Sequence, residues 1–300
     1  MESVKNSNLL IRTSVSPLAG MAFLFCAFLL FFILISFVTT LLMSKMANME
    51  ASIRIATLLQ DIFVFILPAV ISAMVMTRIP AEFLFIDKSP DVVKTVMAVV
   101  TLFVAMPFMD AIIQWNQGIT FPESMKDLEA VLRESEDVAS DFVGQMLGGA
   151  GIGSLVVSIC IVAIMAALSE ELFFRGALLR LFFQTRMNHH VAIWAVAIIF
   201  SLMHFQFFGF VPRMLLGAYF GYLVWWTRCL WIPVIVHAIN NSVVVIAEWK
   251  DGGADIAEEA SAEPVNALLC IGSLLLTALC IGYFVRNARD NDSETVDSQA

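Results

Sequence analysis

The sequence predicts an all-α fold, a polytopic membrane helical bundle of about eight transmembrane helices. Three observations predict it. Hydrophobic residues make up 60% of the 300, where a soluble domain has about 45–50%. Charged residues make up 14%, against about 25%. Apolar runs of roughly the 17–25 residues needed to cross a bilayer recur between short polar stretches. The net charge of −9 falls mostly in two hydrophilic stretches and the tail. No basic patch accompanies it, which excludes nucleic acid as a partner. The lipid bilayer is the partner that the composition requires.

Residues 1–16 are polar, and residues 17–43 are apolar apart from Ser36, Thr39 and Thr40. That run is longer than a signal-peptide core and lacks a small-x-small cleavage site, so it reads as a retained first span. The second span covers residues 56–77, with Pro68 inside, and the third residues 92–115, with Pro107 inside. Residues 116–141 then carry Glu123, Asp127, Glu129, Glu134, Glu136 and Asp137, a pattern that predicts a short surface helix outside the membrane. The fourth span starts at the glycines of residues 148–153 and runs through Glu170 towards Arg186. The fifth covers 191–208, the sixth, a short one, 212–226, and the seventh 231–249. A second acidic stretch, 251–263, precedes an eighth span at 265–285. The tail, 286–300, is polar enough to be expected disordered. No internal repeat and no soluble domain is evident. Three regions follow: 1–147 with three spans and the acidic segment, 148–250, and 251–300 with the last span and tail.

The five cysteines lie in or at the ends of apolar runs and form no CxxC, which argues against a disulfide framework or structural zinc. Cys160 could be a nucleophile in principle, but no His or Asn stands near it in sequence, and it is expected to be a buried helical residue, inert as a small apolar group. Eight spans put both termini on one side. Lys5, Arg12, Arg78, Lys88, Arg180 and Arg186 fall on that side, and the positive-inside rule then makes it cytoplasmic.

Ser169-Glu170-Glu171-Leu172-Phe173-Phe174-Arg175 interrupts the fourth span with two adjacent carboxylates. A carboxylate at the centre of a bilayer costs roughly 3 kcal/mol, so such residues mark a site or a water-filled cavity. Glu171 and Arg175, four apart, can pair on one helix face. Glu170, about 100° round the helix, has no local partner. Of four histidines, His189 and His190 lie in a turn and read as interfacial polar residues. His204 ends the next apolar segment. In a hairpin about residues 187–190 it stands roughly 21 Å from the turn and Glu170 roughly 24 Å, at 1.5 Å per residue. His237 and Asn241, also four apart, stack on one face of the seventh span. Gly217 and Gly221 form a small-xxx-small stripe that lets the sixth span approach a partner closely.

This set can hydrolyse an amide. A carboxylate beside an imidazole holds and deprotonates a water, and His and Asn side chains donate to the developing oxyanion. Glu170, His204 and His237 could instead hold a divalent metal such as zinc with an open position for water, although no HExxH favours it. A serine nucleophile would be Ser169 or Ser201, but neither sits in a Gly-x-Ser-x-Gly setting. A proton-relay transporter drawing on Asp61 and Asp110 is a further reading, against which stand the lack of repeat symmetry and the place of both residues near span ends.

Three motifs, Glu-Glu-x-x-x-Arg at 170–175, Phe-x-x-x-His at 200–204 and His-x-x-x-Asn at 237–241, occur in order on successive helices. In them the chain resembles the CAAX protease and bacteriocin-processing family of intramembrane endopeptidases, which includes the type II CAAX prenyl endopeptidases. The resemblance covers residues 152–247. It implies that 148–250 is the catalytic core, with Glu170 and His204 activating water and His237 and Asn241 steadying the oxyanion. Glu171 and Arg175 would orient the loop or the substrate. No cofactor is expected, and glutamate catalysis without metal is favoured over a zinc site. The implied substrate is a peptide or protein, but the prenylated substrate class does not transfer with the family label. The absence of a targeting signal points to a bacterial inner membrane. The alternative is a non-proteolytic scaffold, immunity or regulatory protein that keeps the fold and acts through a membrane-protein partner.

Overall fold

A computed structural model describes residues 15–147, 151–250 and 266–297. Among them the chain forms ten principal helices and no strand: α1 (Pro17–Lys45), α2 (Met49–Met76), the short α3 (Pro80–Phe83), α4 (Val92–Gln117), α5 (Lys126–Leu147), α6 (Ile152–Phe183), α7 (His189–Leu202), α8 (Phe210–Thr227), α9 (Trp231–Lys250) and α10 (Ala267–Asp297). Residues 148–150 of the expected glycine start to the fourth span, and the second acidic stretch, lie outside the described residues.

The chain is a polytopic helical membrane protein. Each expected span falls on a helix, but six helices among the described residues are long and apolar enough to cross: α1, α2, α4, α6, α9 and the 267–286 part of α10. The two that fall short are α7 and α8. Helix α7 has 14 residues, capped at its start by Asn188, and ends before a turn in which Phe205 takes a φ of 55°. Helix α8 has 18 residues but spends them on Pro212, Arg213, two glycines and four tyrosine or tryptophan side chains. The polar tail also departs from expectation. The backbone of α10 stays helical to Asp297, because a nucleated helix extends with one hydrogen bond gained per residue fixed.

Outward faces of the long helices carry bare apolar side chains such as Leu30, Ile33 and Phe37 of α1 and Leu275 of α10. A soluble surface would not tolerate that density, whereas lipid does. Cys26 and Cys160 belong to this outer surface, which corrects the expectation that Cys160 is buried.

Helix α6 is the central element, packed against α1, α2, α5, α7, α8 and α9. Its inner face and those of α1, α2, α7 and α8 form one apolar core, and α4, α8, α9 and α10 form a second. The glycines of α8 set the approach to α7. A Cβ on Gly221 would stand 2.9 Å from Ile193, and one on Gly217 would stand 3.1 Å from Phe200. Pro107 interrupts α4, and Ser273 of α10 fills the gap beside it. The Ser273 hydroxyl accepts from Phe108 N–H at 3.3 Å and donates to Val104 O at 2.6 Å, so a side chain is inserted into the i→i−4 ladder.

The inner helices are not uniform. Asp61–Ile66 of α2 and both Ile159–Met165 and Leu172–Leu178 of α6 are π-helical. Such widened turns occur often at functional sites. In α2 the widening lies just before Pro68, which has no N–H to return to Val64 O. In α6 the second widening starts right after Glu171.

Candidate active site

Glu170 and Glu171 are consecutive on α6 and therefore face different neighbours. Glu171 is fully buried. Its Oε1 accepts from Arg175 Nη1 at 2.8 Å and from His237 Nδ1 at 2.9 Å. Arg175, also fully buried, donates through Nη2 to Gly217 O at 3.0 Å. Its guanidinium carbon lies 4.5 Å from the centre of the Phe200 ring, a cation–π contact. A Cβ on Gly217 would press on Arg175 Nη2 at 3.2 Å, so the small residue serves the arginine as well as the helix packing. Gly217, Arg175, Glu171 and His237 thus form one chain across α8, α6 and α9.

His237 turns its other nitrogen towards the site. Nε2 stands 3.8 Å from Glu170 Oε2, and the ring stacks on Phe220 with centroids 4.9 Å apart. A carboxylate oxygen only accepts, so Nδ1 carries the proton that goes to Glu171. The same logic applies to His204, whose Nδ1 is 2.8 Å from Phe200 O. The carbonyl fixes the proton on Nδ1, and in the neutral ring Nε2 keeps its lone pair. The spacing of four in Phe-x-x-x-His supplies that hydrogen bond directly.

Glu170 and His204 line the same cavity, of about 250 Å³, together with Thr57, Gln60 and Asp61 of α2, Val162 and Ala166 of α6, and Phe142, Val143 and Met146 of α5. Two side chains 34 residues apart in sequence are brought there by the α6–α7 hairpin. His237 and Asn241 are not in the lining. His237 reaches Glu170 from α9, while the Asn241 amide donates weakly to Val162 O at 3.5 Å and its oxygen accepts from Asn240 at 3.3 Å. Ser169 Oγ donates to Asp61 Oδ1 at 2.9 Å, with Ala166 O a second acceptor at 3.0 Å, and Ser201 Oγ donates to Phe210 O at 2.7 Å, so neither hydroxyl is hydrogen-bonded to a histidine side chain. Among the described residues no three His, Cys, Asp or Glu side chains come together as metal ligands. Glu170, His204 and His237 in this arrangement do not fit a three-ligand metal site, and no step below passes through a metal.

His204 lies just past the end of α7, in a turn held by polar contacts. Asn116 of α4 accepts from Val211 N–H at 2.8 Å and donates to Phe207 O at 3.2 Å. Glu136 of α5 accepts from Phe208 N–H, and Arg133 lies 4.1 Å from the Phe208 ring centre. Burial pushes the Glu136 carboxyl above its ordinary range, against the lowering effect of the Phe208 bond. Glu129 goes the other way. Phe121 N–H at 2.9 Å, then Arg133, hold its carboxyl below the ordinary range. The acidic surface helix therefore fixes the turn that presents His204.

Residues 152–243 match the family model described as type II CAAX prenyl endopeptidase Rce1-like. That is the family the three motifs resemble. The Rce1-like match runs from the start of α6 into α9 and takes in Glu170, Glu171, Arg175, His204, His237 and Asn241. Helices α1 to α5 and α10 lie outside it. No curated protein and no solved structure matches the chain significantly.

Asp61 overturns one reading of the sequence. Its place near a span end in the sequence predicts an interfacial residue. It is instead 5% exposed, twelve residues into a 28-residue helix, and on the cavity wall. The signal was present: an acid inside an apolar run marks a site by default. What hid it was the expected start of the second span at residue 56, seven residues later than the helix begins.

Proposed function

We propose that this chain is an intramembrane endopeptidase that hydrolyses a peptide bond in a membrane-associated peptide or protein. The observation that carries the reading is the convergence on Glu170: His204 shares its cavity and His237 stands 3.8 Å away from a third helix. The Rce1-like match over 152–243 supports the same reaction class.

In the proposed reaction Glu170, whose side chain is 20% exposed, takes a proton from a water in the cavity as the oxygen attacks the scissile carbonyl. His204 Nε2 carries the proton on to the departing amine nitrogen as the C–N bond breaks. His237 has its Nδ1–H committed to Glu171, so donation from Nε2 to the oxyanion requires the doubly protonated ring. Asn241 holds Val162 O only through a 3.5 Å contact, weak enough to exchange for an oxyanion. Such donors stabilise charge most where water is excluded.

The proposed setting is the cell inner membrane, multi-pass, with both termini cytoplasmic, which reporter fusions after residue 300 would test. For the activity, the test compares membrane peptides from wild-type, Glu170→Ala and His204→Ala cells by mass spectrometry. Both variants should insert normally and accumulate an uncleaved peptide that wild-type cells process. Unchanged processing by Glu170→Ala would end the endopeptidase reading.

A further inference from the structure

The cavity contains a carboxylate that the reaction above does not use. Asp61 opens the π-helical turn of α2, and Ser169, immediately before Glu170 on α6, donates to its Oδ1 at 2.9 Å. The carboxylate is thereby aimed by the helix that bears Glu170. Its Oδ2 is buried and has no hydrogen-bond partner in the protein. The residue lines the cavity with Glu170 and His204. A buried carboxylate oxygen without a donor is unfavourable, and the groups that commonly satisfy one in a polar cavity are waters.

We propose that Asp61 is a further catalytic residue: its free Oδ2 and Glu170 together hold the attacking water. The proposal rests on the endopeptidase reading above. A water has two O–H bonds. With one donated to Glu170 and the other to Asp61, its remaining lone pairs are directed away from both carboxylates and towards a carbonyl carbon bound in the cavity. Fixing that orientation before the reaction removes rotational freedom otherwise lost at the transition state. In the step itself the water oxygen forms the new bond to carbon. Glu170 takes one proton, which passes through His204 to the amine nitrogen as the C–N bond breaks. The O–H bonded to Asp61 stays on the oxygen and leaves in the product carboxyl group. Asp61 orients the nucleophile and exchanges no net proton.

The sequence separation of Asp61 from Ser169 is 108 residues, and α2 lies outside the segment that matches the Rce1-like family. The N-terminal helices thus contribute a reacting group to the site as well as a wall.

The test uses purified full-length protein in detergent and a pool of synthetic peptides, unmodified and farnesylated, with cleavage followed by mass spectrometry. Asp61→Asn keeps the shape and an oxygen to accept from Ser169, but turns the second acceptor into an N–H donor. It should lower kcat by about 10²-fold, the scale on which misplacing a reacting group costs turnover, with KM within about twofold and thermal melting unchanged. Ser169→Ala, which leaves the carboxylate in place but unaimed, should cost about tenfold in kcat, the worth of one hydrogen bond. It serves as the second variant if Asp61→Asn fails to fold. Wild-type kcat in either folded variant, alongside a dead Glu170→Ala enzyme, would overturn the role of Asp61 and leave the endopeptidase reading intact. Cleavage of the pool that is independent of Glu170, or none at all, would overturn both.

Discussion

The Nδ1 of His237 stands 2.9 Å from Glu171 Oε1, the same oxygen that accepts from Arg175 at 2.8 Å. The pair formed by Glu171 and Arg175 therefore does more than balance charge within α6. It orients an imidazole on α9 and decides which of its nitrogens faces Glu170. The family resemblance implies that the pair orients a loop or the substrate; the contact seen is with His237.

Replacing Glu171 by Gln keeps the shape and one acceptor oxygen but removes the negative charge that both donors share. The imidazole loses the charge-assisted bond that orients it. Turnover of the accumulating peptide should fall by about 10²-fold or more, with the protein still inserted. A peptide assay of Glu171→Gln at wild-type rates would show that His237 needs no such orientation.

Removing Arg175 leaves the Glu171 carboxylate buried with its cation gone. Breaking a buried pair from one side costs about 3–5 kcal/mol, so Arg175→Ala should melt far below wild type in detergent. Replacing both Glu171 and Arg175 by apolar residues of similar size should restore much of the stability but none of the cleavage. Thermal melts of the single and double variants check this.

Gly217 has no room for a methyl group, because a Cβ there would lie 3.1 Å from Phe200 and 3.2 Å from Arg175 Nη2. Gly217→Ala should cost about 1–3 kcal/mol as an overpacking change. Because the displaced atom belongs to Arg175, activity should drop as well. Gly221→Ala meets only Ile193 and should affect stability more than kcat, a contrast that parallel melts and peptide assays can read.

The Glu129 carboxyl is held below its ordinary value of 4.5, first by Phe121 N–H and then by Arg133. A lowered folded-state value means that the contribution is complete above 4.5 and is lost as pH falls through the lower folded value. Acid should therefore loosen α5 from the Phe121 segment, and Glu129→Gln should remove that part of the pH dependence. Proteolysis of the 116–147 region across pH 3–6 measures it, the range chosen to bracket the ordinary carboxylate value.

Complementation separates hydrolysis from binding. If the chain is an endopeptidase, a Glu170→Ala/His204→Ala protein should fail to rescue a deletion strain at normal expression. Rescue would assign the biological role to the fold and its surfaces, as expected of a scaffold or immunity protein.

Much of the fold was legible because its cause is local. Apolar runs fix where helices must lie in a bilayer, since every backbone group has to be satisfied within its own segment. The spacings of four at 171–175, 200–204 and 237–241 also fix local relations. Glu171 meets Arg175, and the Phe200 carbonyl meets His204, by helix geometry alone. The lengths of α7 and α8 were less legible, because a turn with a left-handed Phe205 ends the first and polar or small residues dilute the second.

The sequence by itself determined an all-helical membrane bundle, the order of three polar motifs along it, and a carboxylate at 170 without a local partner. Only the tertiary structure decided that one oxygen of Glu171 serves both Arg175 and His237, that Asn241 turns to Val162, and that Asp61 joins the cavity. Periodicity assigns a side chain to a face of its own helix. Which other helix that face meets depends on packing, and each π-helical turn in α2 and α6 rotates the following residues away from where a regular 3.6-residue repeat would place them.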